Sequence, residues 1–181
     1  MTAVFLLASL FSANADSASS LQILAGALYP AGDLRGWFSP APAAALRLES
    51  PHAGRFRAHI QLQGAYFAAD ASPASVFAAE GGAGMGWKPA PPWLPQAGGG
   101  ISLVYVRETK RHREPDRYLF FSDGESEFGF YPFLGWSLPL GKHWTFEALF
   151  RWGLQFSEPE WSHFPGAQVG IGRTIPWPGP F

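Results

Sequence analysis

The sequence predicts an all-β fold, an eight-stranded antiparallel up-and-down transmembrane β-barrel, and three observations predict it. Over 143–156, Trp144, Phe146, Ala148, Phe150, Trp152, Leu154 and Phe156 occupy one parity, while His143, Thr145, Glu147, Leu149, Arg151, Gly153 and Gln155 occupy the other. Period two belongs to a strand with one apolar and one mostly polar face; a helix would scatter these aromatics around its circumference. Beyond residue 15 no run approaches ~18 consecutive apolar residues, so a chain that crosses a membrane must cross as strands. The alternating segments also cluster near the ~9–11 residues that a tilted strand needs to traverse hydrocarbon, whereas soluble strands average ~5–6.

Taken in order, residues 1–15 (MTAVFLLASLFSANA) hold an apolar run from Ala3 to Phe11 and the small-x-small site Ala13-Asn14-Ala15. They read as a secretory signal peptide cut after Ala15, although no Lys or Arg precedes the run. Residues 16–181 then form one domain. Strands are expected at about 21–29, 41–50, 55–67, 76–87, 99–108, 128–140, 143–156 and 166–175. In the first, Leu21, Ile23, Ala25, Ala27 and Tyr29 oppose Gln22, Leu24, Gly26 and Leu28; in the third, Phe56, Ala58, Ile60, Leu62 and Tyr66 oppose Arg57, His59, Gln61 and Gln63. In the last, Ala167, Val169 and Ile171 oppose Gln168, Gly170 and Gly172.

The connections fall into two sets. Ser50–Gly54, Lys88–Gly98 and the tight Gly141-Lys142 alternate with Pro30–Pro40, Ala68–Ser75, Thr109–Glu127 and Ser157–Pro165. A barrel with both termini inside the envelope has short inner turns and long outer loops at those alternations, with Lys88–Gly98 longer than that rule expects. Trp87, Trp93, Trp136, Trp144 and Trp177 then mark an inner aromatic belt, and Tyr29, Trp37, Phe38, Tyr66, Tyr105, Phe128 and Phe156 an outer one. Three features strain the scheme. Pro132 falls inside the sixth strand, where a bulge would absorb it; Arg173 takes the apolar parity, from which it must reach the interface; and the tail Pro176-Trp177-Pro178-Gly179-Pro180-Phe181 cannot continue a ladder.

Composition closes several branches. With no cysteine there is no disulfide, thiolate metal site or cysteine nucleophile. A net charge of −1 in 181 residues gives no global attraction to nucleic acid. Three lysines, Lys88, Lys110 and Lys142, are too few for the usual soluble surface. The alternative to a membrane barrel is a lipocalin-like soluble barrel carrying an apolar ligand, with the apolar parity inward. The lysine-free polar parity and the crowd of aromatics in 143–156 argue for apolar residues facing outward.

Asp33-Leu34-Arg35-Gly36-Trp37-Phe38 with Ala44-Ala45-Leu46-Arg47-Leu48-Glu49, then Leu138-Pro139-Leu140-Gly141-Lys142-His143-Trp144-Thr145-Phe146-Glu147-Ala148, and Gly166-Ala167-Gln168-Val169-Gly170-Ile171-Gly172 follow a pattern of strand, tight turn, strand and glycine-rich last strand. In this the chain resembles the small bacterial outer-membrane β-barrels, the OmpA-like transmembrane domain and the opacity-type barrels. The resemblance spans 16–181, carries no catalytic motif, and implies a place in the cell outer membrane, contact with its lipid, and insertion by the barrel-insertion machinery. That machinery usually reads a terminal aromatic; Phe181 is one, but the prolines before it depart from the pattern.

The polar parity nominates a lumen ion-pair core of Arg47, Glu49, Arg57, His59, Glu80, Glu147 and Arg151. An eight-stranded barrel is just wide enough for side chains to fill, so these groups must pair. A plugged lumen and a narrow small-solute channel both follow from such a set. A second cluster, Lys110, Arg111, His112 and Arg113, is expected in the longest outer loop, as a solvated run or as a contact for lipopolysaccharide phosphates, partly neutralised by Asp123, Glu125 and Glu127. Lipid-modifying enzymes share this barrel size. Ser162-His163 near Glu158 and Glu160, and His143 near Thr145 and Glu147, supply triad residue types, but the His-x-Ser of lipid A deacylases is absent. The expectation is therefore no catalytic residue, no cofactor and no metal site, in a structural or interaction barrel of unspecified oligomeric state.

Overall fold

The computed structural model describes residues 18–51, 55–70, 74–88, 94–111, 125–157 and 160–176. Eight strands, β1 (Ala18–Leu28), β2 (Ala41–Glu49), β3 (Phe56–Phe67), β4 (Ala74–Trp87), β5 (Leu94–Arg111), β6 (Glu125–Pro139), β7 (Trp144–Ser157) and β8 (Glu160–Pro176), close into one barrel in chain order. Every neighbouring pair is antiparallel, and β1 pairs with β8 from Ala18↔Pro176 to Leu28↔Gly166. The proposed cut after Ala15 and the tail 177–181 lie outside the described residues. Among those residues, no helix is long and apolar enough to cross a membrane.

Alternation sets the faces. Ile23, Leu46, Leu62, Ile101, Leu103, Leu134, Phe150, Trp152, Val169 and Ile171 are exposed on the outside, while Gln22, His59, Gln61, Gln63, Glu147, Arg151 and Gln168 are buried inside. A continuous apolar exterior of this extent belongs against lipid, and the inward-apolar orientation of a lipocalin-like carrier is excluded. Trp87, Trp136 and Trp144 are exposed near the inner ends, and Tyr29, Tyr105, Phe128 and Phe156 near the outer ends. Trp93 and Trp177 lie outside the described residues. Phe38 does not join the outer belt: it is buried against Phe67, their ring centroids 6.2 Å apart, because the β1–β2 connection folds inward through a 3-10 turn at Gly32–Gly36.

Several strand ends differ from the sequence expectation because a neighbouring strand templates pairing beyond the alternation. Leu94 and Pro95 pair with Ser137 and Trp136, which starts β5 five residues earlier than expected and shortens the Lys88–Gly98 connection to 88–93. Glu160 pairs with Ser157, so the expected loop Ser157–Pro165 contracts to residues 158 and 159. Lys110 and Arg111 lie on β5, paired with Ser75 and Ala74, and so are not in a loop; His112 and Arg113 lie outside the described residues.

Pro132 is accommodated without a bulge. The β6–β7 register is the same on either side of it (Phe130↔Leu154, Phe133↔Arg151), and pairing with β7 lapses only at Tyr131 and Pro132, while β5 still pairs there as Gly99↔Pro132. Arg173, exposed beside Trp144, lays its guanidinium 5.5 Å from that ring's centroid, so its charge stays at the inner belt.

Candidate functional site: the lumen

The lumen is built in layers, described from the end where β2–β3, β4–β5 and β6–β7 turn. At the bottom Glu49, the last residue of β2, gathers three cations: Arg57 Nη1 at 3.1 Å, Arg47 Nη2 at 3.2 Å and Lys88 Nζ at 3.9 Å. Glu147 of β7 faces the same space, 3.7 Å from Lys88 Nζ, and accepts hydrogen bonds from Ser137 Oγ (2.6 Å) and Gln96 Nε2 (3.0 Å). Lys88 therefore bridges carboxylates from two walls. Multiple partners are what a buried charge requires, since desolvation otherwise outweighs a single Coulombic contact.

The middle layer is aromatic. Tyr131 and Phe133, two residues apart on β6, point inward and lie over a bed of glycines on β4 and β5. A Cβ at Gly100 would sit 2.6 Å from Tyr131 Oη, and one at Gly98 would sit 2.6 Å from Phe133 Cζ. On their other side the rings carry cations: Arg151 lies 4.6 Å over Tyr131 and Arg47 4.4 Å over Phe133. His59 of β3 reaches both rings, at centroid distances of 5.9 and 5.5 Å. Arg47 Nη2 donates to His59 Nδ1 at 3.3 Å, and because arginine only donates, the ring proton sits on Nε2, which faces Tyr131 Oη at 3.0 Å.

Above this, Arg151 of β7 spans the lumen to Glu80 of β4, Nη2 to Oε1 at 2.7 Å, and donates through Nη1 to Gln63 Oε1 at 2.8 Å. Gln168 Nε2 donates to the same Gln63 oxygen at 2.8 Å. The top layer is apolar: Leu28, Leu34, Phe38, Ala41, Ala43, Ala65, Phe67, Val76, Val104, Val106 and Phe164 form one buried cluster. Between it and the Gln63–Glu80 layer a void of ≈20 Å³ remains, about enough for one water molecule.

All seven residues nominated from the polar parity face the lumen, and they fall into two groups. Arg47, Glu49, Arg57, His59 and Glu147 gather in the lower half, and Glu80 with Arg151 across the middle. The sequence reasoning placed Gln63 and Gln168 on the polar parity without nominating them, and it missed Lys88, Gln96, Ser137 and the two aromatics. Lys88 lies one residue past β4, outside any alternation; Tyr131 and Phe133 were masked because the other parity of β6 is aromatic too, at Phe128, Phe130 and Trp136. The inward apolar residues Leu24, Leu28, Val104 and Val106 had a detectable signal, a polar parity that turns apolar toward one end of the strand.

Among the described residues the triad candidates do not assemble; Glu158 lies outside them. His143 is exposed at the β6–β7 turn while Glu147 is fully buried, and Ser162 and His163 are consecutive on β8 and so point to opposite faces. His163 Nδ1 instead receives the Trp152 Nε1 hydrogen at 3.4 Å. Among the described residues no group of His, Asp and Glu could hold a metal ion.

No protein-family model matches the chain, and no curated protein matches its sequence. Solved structures do. Neisserial surface protein A is 13% identical over 87% of this chain and 96% of its own, with a TM-score of 0.66. The outer membrane protein OprG from Pseudomonas aeruginosa is 10% identical over 91% and 99%, at 0.58. Ail, the attachment invasion locus protein of Yersinia pestis, solved in complex with the heparin analogue sucrose octasulfate, is 9% identical over 88% and 97%, at 0.56. The fold is that of the small bacterial outer-membrane barrels. Identities this low carry architecture and nothing of ligands, so the reading of this barrel rests on its own lumen, polar and ion-paired below, apolar above.

Proposed function

We propose that the chain is an outer-membrane β-barrel of structural or interaction type whose lumen is closed by its own side chains. One observation carries the reading: along the whole axis each layer is filled, by ion pairs, by rings on glycine, by the Arg151–Glu80 bridge and by an apolar cluster whose adjoining void is ≈20 Å³. An ion crossing it would have to break buried pairs and then traverse an apolar layer. Export through the leader at 1–15, insertion by the barrel machinery and residence in the outer membrane belong to the same proposal, supported by the apolar exterior and the shared fold. At the outer end, Lys110 and Arg111 extend β5 above the aromatic belt, and with His112 and Arg113 they offer a cationic contact for lipopolysaccharide phosphates.

Planar-bilayer recording of the purified barrel tests it: no steady conductance is expected, whereas a steadily open state would replace this reading with a small-solute channel. A changed lipid A acyl pattern on expression would promote the enzyme instead.

A further inference from the structure

The upper lumen is apolar where the lower lumen is polar, and part of what fills it does not come from the barrel wall. Leu34 and Phe38 enter from the β1–β2 connection and cap a chamber walled by Leu28, Phe67, Val76, Val104, Val106 and Phe164. The connection is pinned at both ends, by Tyr29 N–H to Pro165 O (2.8 Å) and Ala31 N–H to His163 O (3.0 Å), and by Ser39 N–H to Ala68 O (3.1 Å) and Asp70 N–H to Trp37 O (2.9 Å). Above it lies an open recess of ≈530 Å³ lined by Tyr29, Gly32, Arg35, Phe38, Ser39 and Asp70, within the size range of small-ligand sites. Phe38 is the residue that the linings of this recess and of the ≈20 Å³ void below have in common, so it stands between the two spaces.

We infer that recess and chamber together form a binding site for a single-chain zwitterionic amphiphile of the lysophospholipid or alkyl-phosphocholine type, its tail displacing Phe38 and Leu34 and its head held in the recess. The tail is matched by what it displaces: the two side chains hold about eleven carbons, so a medium-length alkyl chain restores the buried apolar contact that is lost. The head is matched by charge. Arg35 offers a guanidinium to a phosphate, while Asp70 and the half-exposed Tyr29 ring offer a carboxylate and a π face to an ammonium. An anionic head alone would leave Asp70 opposed, and a neutral head would use neither charge. The floor rests on the closed-lumen reading, since the Arg151–Glu80 layer stops the tail there.

The experiment is photolabelling of the barrel in nanodiscs with a decyl-phosphocholine that carries a diazirine near the tail end, with labelled residues mapped by peptide mass spectrometry. Labels on inward Phe67, Val106 and Phe164 are expected, alongside background labels on outward Phe77 and Leu103. Phe38→Ala should raise the inward labels several-fold and Val106→Trp should suppress them, with the outward background unchanged in both. Arg35→Ala should lower inward labelling by the phosphocholine probe about tenfold, one charge-assisted contact, and leave a neutral decanol diazirine unaffected. Labels confined to the outward residues in wild type and in Phe38→Ala overturn the site, and equal loss of both probes in Arg35→Ala overturns the head assignment. If Phe38→Ala does not fold, Val106→Trp and Arg35→Ala still decide. Conductance separates the two proposals: a silent barrel without inward labels sinks the site alone, and a conducting wild type sinks the closed lumen.

Discussion

Glu147 shows at the residue scale how one buried carboxylate organises three walls of the barrel. It is fully buried and receives Ser137 from β6, Gln96 from β5 and Lys88 beyond β4. Replacing it with leucine leaves Lys88 with Glu49 alone, at 3.9 Å, and strands two polar groups in the lumen, and we expect a loss on the order of 3–5 kcal/mol in urea unfolding followed by tryptophan fluorescence in lipid vesicles. Glu147→Gln keeps an acceptor for Ser137 and should lose distinctly less; equal losses would mean that the retained acceptor is worth nothing and that the charge facing Lys88 carries the whole effect. Glu80→Leu, which leaves Arg151 without its 2.7 Å partner, belongs to the same severe class. Pairing Glu80→Leu with Arg151→Met should restore much of the stability, because two apolar groups then replace an orphaned cation.

At the scale of elements, closure of the barrel depends on glycine at the β1–β8 seam. A Cβ on Gly170 would fall on the carbonyl oxygen of Ile23, and one on Gly26 on that of Ala167, both backbone atoms that cannot swing aside. Gly170→Ala should therefore cost on the order of 1–3 kcal/mol or prevent closure. Gly36→Ala, in the 3-10 turn where a Cβ meets nothing within 4 Å, should be close to neutral. Heat-dependent gel mobility of the two variants after refolding into detergent reads this directly, and a Gly170→Ala barrel as heat-resistant as wild type would show that the seam can relax. β6 teaches a related lesson. Its proline is tolerated because the lost pairing is confined to Tyr131 and Pro132 against β7, while β5 holds the strand in register.

For the whole molecule, the decisive quantity is which face meets lipid. Phe150 stands outward in the middle of β7, between Leu134 and Ala167. An arginine there should cost on the order of 2–4 kcal/mol. Gln61→Glu, on the lumen side beside Arg47, should be milder because a cation is already there. Refolding of both variants into liposomes is the measurement. A Phe150→Arg barrel that folds as well as wild type, or a wild type that folds in plain buffer with no amphiphile, would contradict a lipid-facing exterior.

Period-two alternation and segment length made eight strands, their faces and seven lumen residues legible in the sequence alone, since alternation is a local property of each strand and the pleat converts it into two faces. The ends of β5 and β8, the role of Lys88 and the inward turn of Phe38 were not legible, because each depends on a partner distant in sequence. Ser137 and Trp136 extend β5, two carboxylates on different strands position Lys88, and Phe67 receives Phe38. The glycine-rich stretches of β4 and β5 read only as a crowded interior, and the rings that lie on them belong to β6. Composition and alternation thus determined that this chain is a barrel with apolar residues outward, because every strand states its own two faces. Only closure of the sheet decided how the lumen is layered, because closure is what brings β2, β3, β4, β6 and β7 within contact distance across one narrow space.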